Sequence, residues 1–143
     1  MYITGKPRRI SKILSKNDSG KTGGHQAGIL VPKDHRILDF FPNLGTQEKN
    51  PRVHISFKDD EEQIWVFAFI YYNSALFGGT RNEYRLTRMT PYLRSNDLEE
   101  GDEIILYLDD HDEQRITFSR SEKTRVIREG VLRIGKKWKV INI

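Results

Sequence analysis

Cysteine is missing altogether from the 143 residues. That removes disulfide staples, thiol nucleophiles and thiolate metal sites together, and leaves stability to packing alone. Long apolar runs are also missing. The longest, Ile64 to Tyr72, falls far short of the ~20 residues a spanning helix needs, and the N-terminus lacks the apolar stretch of a secretion signal. The sequence therefore reads as a cytosolic protein with no membrane association. Its length fits a single domain, residues 1–143, with one modest core.

The motifs of hydrolytic chemistry are absent as well. No Asp or Glu stands two positions before a Lys, so the pair that holds Mg²⁺ and polarises water in many nucleases has no counterpart. His25, His35, His54 and His111 are followed two residues later by Ala, Ile, Ser and Glu, which excludes a His-x-Lys phosphodiesterase motif, and no His-Glu-x-x-His pattern occurs. Gly20-Lys21-Thr22 resembles the end of a phosphate-cradling loop, but that loop needs Gly where Ser15 stands. The reading is of a chain without a catalytic centre, metal or cofactor.

What the sequence does have is charge, in blocks. Charged residues make up 31% of the chain and the net charge is +4. Residues 1–25 hold six Lys/Arg against Asp18, residues 80–94 hold four Arg against Glu83, residues 95–113 hold nine acids and no Lys or Arg, and residues 114–143 hold nine bases against two acids. Such sorting suits basic faces for a polyanion and an acidic face turned away from it, although ordinary solvated charge gives the same count.

The hydrophobic period is mostly two. Strands are predicted at Ala27–Val31, Val53–Phe57, Gln63–Tyr72, Tyr84–Arg88, Ile104–Leu108, Gln114–Phe118, Lys123–Arg128, Val131–Ile134 and Lys137–Ile141. Short strands at close spacing favour a barrel or sandwich. A helix is predicted over Asp34–Phe41, stopped by Pro42 and plugging one barrel end, and a second over Ser95–Glu99 with Ser95 or Asn96 as its cap. Trp65 and Trp138 lie within apolar alternation, which favours packing over base stacking. The lysines of 136–139 read as a protected sheet edge.

Two polar segments could reach into a groove. In the first, Lys12 to Gln26, glycines permit close approach to phosphates, while Lys12, Lys16, Asn17, Asp18, Lys21, Thr22 and His25 supply charge and directional hydrogen bonds. A flexible solvated loop is the competing reading. In the second, Asn73 to Arg88, an extended chain places Arg81, Glu83 and Arg85 on one face and Asn82 and Tyr84 on the other. Arg pairs bidentately with guanine and Glu accepts from cytosine N4, so the trio suits a G·C reader; a structural ion-pair ladder is the alternative.

The stretches Lys16 to Ile29, Tyr71 to Ser74 and Phe77 to Arg88, with Phe41-Pro42 and Glu48 to Pro51 between them, resemble the N-terminal effector-binding domain of EcoRII-type restriction endonucleases. The resemblance covers roughly the first two thirds of the chain and stops near Pro91. It implies a mainly β DNA-binding pseudobarrel like that of plant B-three domains, with about seven to eight strands and one or two short helices. The implied partner is double-stranded DNA, gripped in the major groove by two arms, with the pentanucleotide CCWGG as the implied target. By the same resemblance Lys12, Asn17, Asp18, Thr22 and His25 belong to an N-terminal arm, and Arg81, Glu83, Arg85 and Arg88 to a C-terminal arm, with Lys16, Lys21, Asn82 and Tyr84 beside them. Gly79 and Tyr84 stand where the family has Lys, and Leu30 where it has Tyr. The implied whole is a monomeric, non-catalytic recognition domain in the cytoplasm of a prokaryote, working with a nuclease domain elsewhere in the parent protein.

Overall fold

The structure, a computed structural model, describes residues 6–18, 28–121, 131–134 and 138–141. The predicted strand Lys123–Arg128 lies outside these residues. Among the described residues nine strands form one sheet: β1 (Arg9–Ile13), β2 (Ile29–Val31), β3 (Arg52–Lys58), β4 (Ile64–Tyr72), β5 (Glu83–Thr87), β6 (Glu103–Leu108), β7 (Gln114–Ser119), β8 (Val131–Ile134) and β9 (Trp138–Ile141). Their order across the sheet is β2-β5-β4-β3-β7-β6-β1-β9-β8. Neighbours are antiparallel except β3 and β7, which meet in parallel at Lys58 and Arg115.

The sheet curls, because β2 stands at one end of that order and the indole Nε1 of Trp138, in β9 near the other end, donates 3.0 Å to the Leu30 carbonyl of β2. Closure is thus made by a side chain, and the barrel is incomplete. The inner face follows the two-residue period: Ile55 and Phe57 on β3, Phe67 and Phe69 on β4, Leu86 on β5, Ile29 and Val31 on β2, and Ile104 and Leu106 on β6 are all buried. Phe69 stacks on Phe41 at 4.5 Å and Phe57 on Phe67 at 5.5 Å, offset arrangements that suit the ring quadrupoles. Trp138 is fully buried, and Trp65 meets Tyr92 edge-on at 5.4 Å, so both tryptophans pack as expected.

Two elements depart from the sequence reading. β1 was not foreseen, and Lys12 belongs to it rather than to the loop that follows. It pairs on both sides, with β6 and β9, so Ser11 and Lys12 are buried. Their burial is tolerated because each finds a partner: Ser11 Oγ donates 2.6 Å to Glu103, which also takes the Lys139 ammonium at 2.8 Å, and Lys12 meets Asp18. The second helix runs over Thr90–Ser95 and ends where it was expected to begin. Pro91 sets the first turn, Tyr92 and Leu93 are buried, and Asn96 acts as a C-cap, its amide donating 3.0 Å to the Tyr92 carbonyl.

The first helix, α1 (His35–Leu38), starts at the Asp34 cap, continues as tight turns through Phe40 and Phe41, and packs by β9. Among the described residues no helix is long and apolar enough to cross a membrane, and no buried side-chain polar atom lacks a hydrogen-bond partner.

Candidate functional site

The first polar segment leaves the sheet at the end of β1. The Lys12 ammonium, buried, donates 2.7 Å to an Asp18 carboxylate oxygen and 3.1 Å to the Ile13 carbonyl. That same Asp18 oxygen accepts the Ser15 amide at 2.9 Å, and the Ser15 hydroxyl accepts the Asp18 amide at 3.2 Å. Lys12 and Asp18 are therefore brought together inside the protein and pin the root of the arm, while Lys16 and Asn17 are exposed on the turn between them. Lys21, Thr22 and His25 lie outside the described residues.

The arm returns to the sheet at Gly28, whose φ is +87° and whose absent Cβ would sit 2.5 Å from the Leu86 carbonyl oxygen. Only glycine fits both conditions. The Gly28 carbonyl in turn accepts the Arg85 guanidinium at 2.9 Å, which ties the exit of the first segment directly to the second.

In that second segment the expected alternation holds. Arg81 and Arg85 both reach the same oxygen of Glu83, Arg81 at 3.1 Å, so the three side chains form a basic-acidic-basic row. Arg81 is exposed, and its guanidinium lies over the Tyr72 ring at 3.8 Å, a cation–π contact that selects one orientation. The hydrogen bond from Arg85 holds the Glu83 carboxyl below the ordinary glutamate value, against a smaller opposing effect of burial. On the other face, Tyr84 stacks on Tyr71 at 4.2 Å and on Phe69 at 5.6 Å, and the Tyr71 hydroxyl donates 2.8 Å to Asn82. Burial pushes the Tyr84 hydroxyl up. Arg88, exposed just past β5, has a φ of +67°, an uncommon conformation for a side chain with a Cβ.

Sequence reasoning gave no role to the root of this arm. Asn73, fully buried at the end of β4, donates 2.9 Å to the Glu48 carbonyl and accepts the Asn50 amide at 2.7 Å, while the Asn50 side chain accepts the Asn73 amide at 3.2 Å. Ser74 Oγ accepts the Arg81 amide at 3.0 Å, and a Cβ on Gly79 would meet that hydroxyl at 2.6 Å. These contacts fix the arm against the 48–51 loop. The signals were the polar run Tyr72-Asn73-Ser74 closing an apolar strand and the Glu48 to Pro51 stretch of the resemblance, with nothing in the sequence to join them.

One part of the acidic block, Asp109 to Glu113, sits away from both arms. The β3-β4 turn is at the other end of β4, about 26 Å from Tyr72 at strand rise. There Arg115 pairs with Glu62 at 2.8 Å and Lys58 with Glu113 at 2.9 Å, and Asp109 caps the β6-β7 turn through the His111 and Glu113 amides. The other part lies at the root of the first arm, where the Leu14 amide donates to the Asp102 carbonyl and the Asp102 side chain accepts the Glu99 and Ser121 amides. Many of these acids thus work on the protein itself.

A curled, incompletely closed barrel with two short helices is the architecture of the DNA-binding pseudobarrels. A solved structure of this class, the Arabidopsis FUS3–DNA complex, matches with a TM-score of 0.60 and 20% identity, over 78% of this chain and 96% of that one. The chain belongs to the family described as restriction endonuclease EcoRII, N-terminal, which matches residues 8–119 and so extends past the Pro91 limit of the resemblance read from sequence. The type II restriction enzyme EcoRII of Escherichia coli is 46% identical over 84 aligned positions, 54% of this chain and 20% of that enzyme, so the chain spans about a fifth of its relative's length.

Proposed function

We infer that this chain binds duplex DNA sequence-specifically in the major groove, as the effector-recognition domain of a type II restriction endonuclease whose nuclease domain lies elsewhere in the parent protein. The observation that carries the reading is the row of Arg81, Glu83 and Arg85 on one face, Arg81 exposed and Glu83 and Arg85 half-buried. The exposed pair of Arg81 with Glu83 contributes little to stability, so it orients the Arg81 side chain rather than locking it away. Arg81 and Arg85 offer bidentate donors to guanine O6 and N7, and the ionised Glu83 accepts from cytosine N4. Tyr72 holds Arg81 in place before DNA arrives, which lowers the entropy lost on binding.

From the first segment Lys16, Asn17, Lys21, Thr22 and His25 approach phosphates and base edges, and Arg88 adds a phosphate contact beyond β5. Lys12 and Asp18 serve by holding the arm's root. Asn82 and Tyr84 back the reading row through Tyr71. The family's CCWGG supports a short G·C-rich target. Tyr71, Tyr84 and Phe69 are stacked on one another and Phe77 alone of the large aromatics among the described residues is exposed, too few for a stacking platform, which favours duplex over single-strand binding. Selection from a random duplex pool tests the reading: a CCWGG-like motif is the expected survivor, and an enrichment without any motif contradicts it.

A further inference from the structure

The outward face of the sheet continues the reading row across two more strands. Leu30 of β2 is paired with Arg85 of β5, Arg85 with Ile70 of β4, and Ile70 with Arg52 of β3. Directly paired residues point to the same face, so Leu30, Arg85, Ile70 and Arg52 form one line across four strands. The next line holds Thr87, Ala68 and His54. Arg52 and His54 are exposed, and Ile70 and Ala68 between them and β5 are buried.

Charge on this face is unevenly compensated. Arg81 and Arg85 share Glu83, and Lys58 at the far end of β3 is held by Glu113. Arg52, among the described residues, makes no side-chain ion pair or hydrogen bond. Toward Lys58 the face turns apolar, with Val66 and Ile64 exposed. The uncompensated positive charge is thus confined to the half of the face next to the arms.

We propose that Arg52 is a phosphate-contact residue, the floor on which one strand of the DNA backbone rests beside the major-groove arms. This rests on the duplex-binding reading above. Arg52 stands two strand spacings from Arg85, about 10 Å, and a DNA strand carries a phosphate about every 3.4 Å along the axis, so a duplex read by Arg85 brings phosphate charge within its reach. An exposed guanidinium gains a charge-assisted bond there without breaking one inside the protein.

The test is the salt dependence of duplex binding by fluorescence anisotropy between about 50 and about 200 mM salt. Arg52→Ala is compared with wild type, with Arg52→Lys and with Lys58→Ala, on a selected duplex and a scrambled one. Arg52→Ala is expected to weaken both duplexes alike, by about threefold to tenfold, and to lower the slope of log affinity against log salt by about 0.9. Arg52→Lys restores most of that slope, and Lys58→Ala leaves it unchanged. A slope for Arg52→Ala equal to that of wild type and of Lys58→Ala, while wild type still prefers the selected duplex, overturns the floor contact alone. Loss of that preference in wild type overturns the duplex reading beneath it.

Discussion

Replacing Arg81 by Ala separates recognition from stability, because the structure gives this side chain almost no structural work. Its ion pair to Glu83 is solvent-exposed and its ring contact with Tyr72 lies at the surface, so together they contribute at most about 1 kcal/mol to folding. The backbone contacts that hold the arm, the Arg81 amide to Ser74 and the Arg81 carbonyl to the Ala75 amide, survive the substitution. A bidentate pair to guanine is worth about 1–3 kcal/mol of discrimination, which corresponds to roughly 5-fold to 150-fold at about 1.4 kcal/mol per tenfold.

Arg81→Ala should therefore lower the ratio of affinities for selected and scrambled duplexes by that factor. A thermal melt should shift by no more than a few degrees. Binding is measured at one fixed salt concentration, since the phosphate contribution varies steeply with salt. Equal loss on both duplexes, with the ratio intact, would refute base reading by Arg81 and return it to a phosphate contact. A large fall in melting temperature would mean that the row is a structural ladder.

Other perturbations probe other parts of the molecule. Lys16→Ala should weaken selected and scrambled duplexes about equally, read in the same anisotropy assay, as for a backbone contact. Lys12→Ala leaves the Asp18 carboxylate buried without its ammonium and should destabilise the fold by about 3–5 kcal/mol in chemical denaturation, whereas Lys12→Met with Asp18→Leu should cost less than that single change. Trp138→Phe removes the pyrrole part of a buried indole together with its bond to the Leu30 carbonyl, so a loss of at least about 1–3 kcal/mol is expected by urea denaturation.

Glu83 provides the pH dependence. Its folded pKa is depressed, so the stability it contributes is present above its unfolded value and lost as pH falls through the folded one. The carboxyl should remain ionised at pH 4.5, the ordinary glutamate value, in an NMR titration. Half-protonation at or above that pH would contradict the pairing.

Much of the sheet was legible because its strands obey the period that burial on one face imposes: Val53 to Phe57 and Tyr84 to Arg88 were placed within a residue of β3 and β5. The alternation of Arg81, Glu83 and Arg85 against Asn82 and Tyr84 followed from the same rule. β1 was illegible for the converse reason. Arg9-Ile10-Ser11-Lys12-Ile13 looks like a polar surface segment, and only Glu103 and Asp18, distant or across a turn, make its interior burial possible. Helix α2 (Thr90–Ser95) was misplaced because Asn96 serves equally as a start or a stop signal, and the deciding fact is the burial of Tyr92 and Leu93. Barrel closure by Trp138 onto Leu30 joins residues 108 positions apart, beyond any local pattern.

The contacts at the open end bear on how the two segments act together. Arg85 donates at once to Glu83, in its own arm, and to the Gly28 carbonyl, where the other arm re-enters the sheet. Gly28 cannot move independently, since its backbone packs against Leu86 and Thr87 closer than any side chain would allow. A displacement of Arg85 on engaging a base would therefore reach the first arm through its exit, while Lys12 and Asp18 hold its entrance fixed. Both arms thus have side chains pinning their roots, Lys12 with Asp18 in the first and Asn73 with Asn50 in the second. On the proposed reading, discrimination would follow from how few alternative positions the row has, because each wrong base would leave a donor or acceptor of that row desolvated and unpaired.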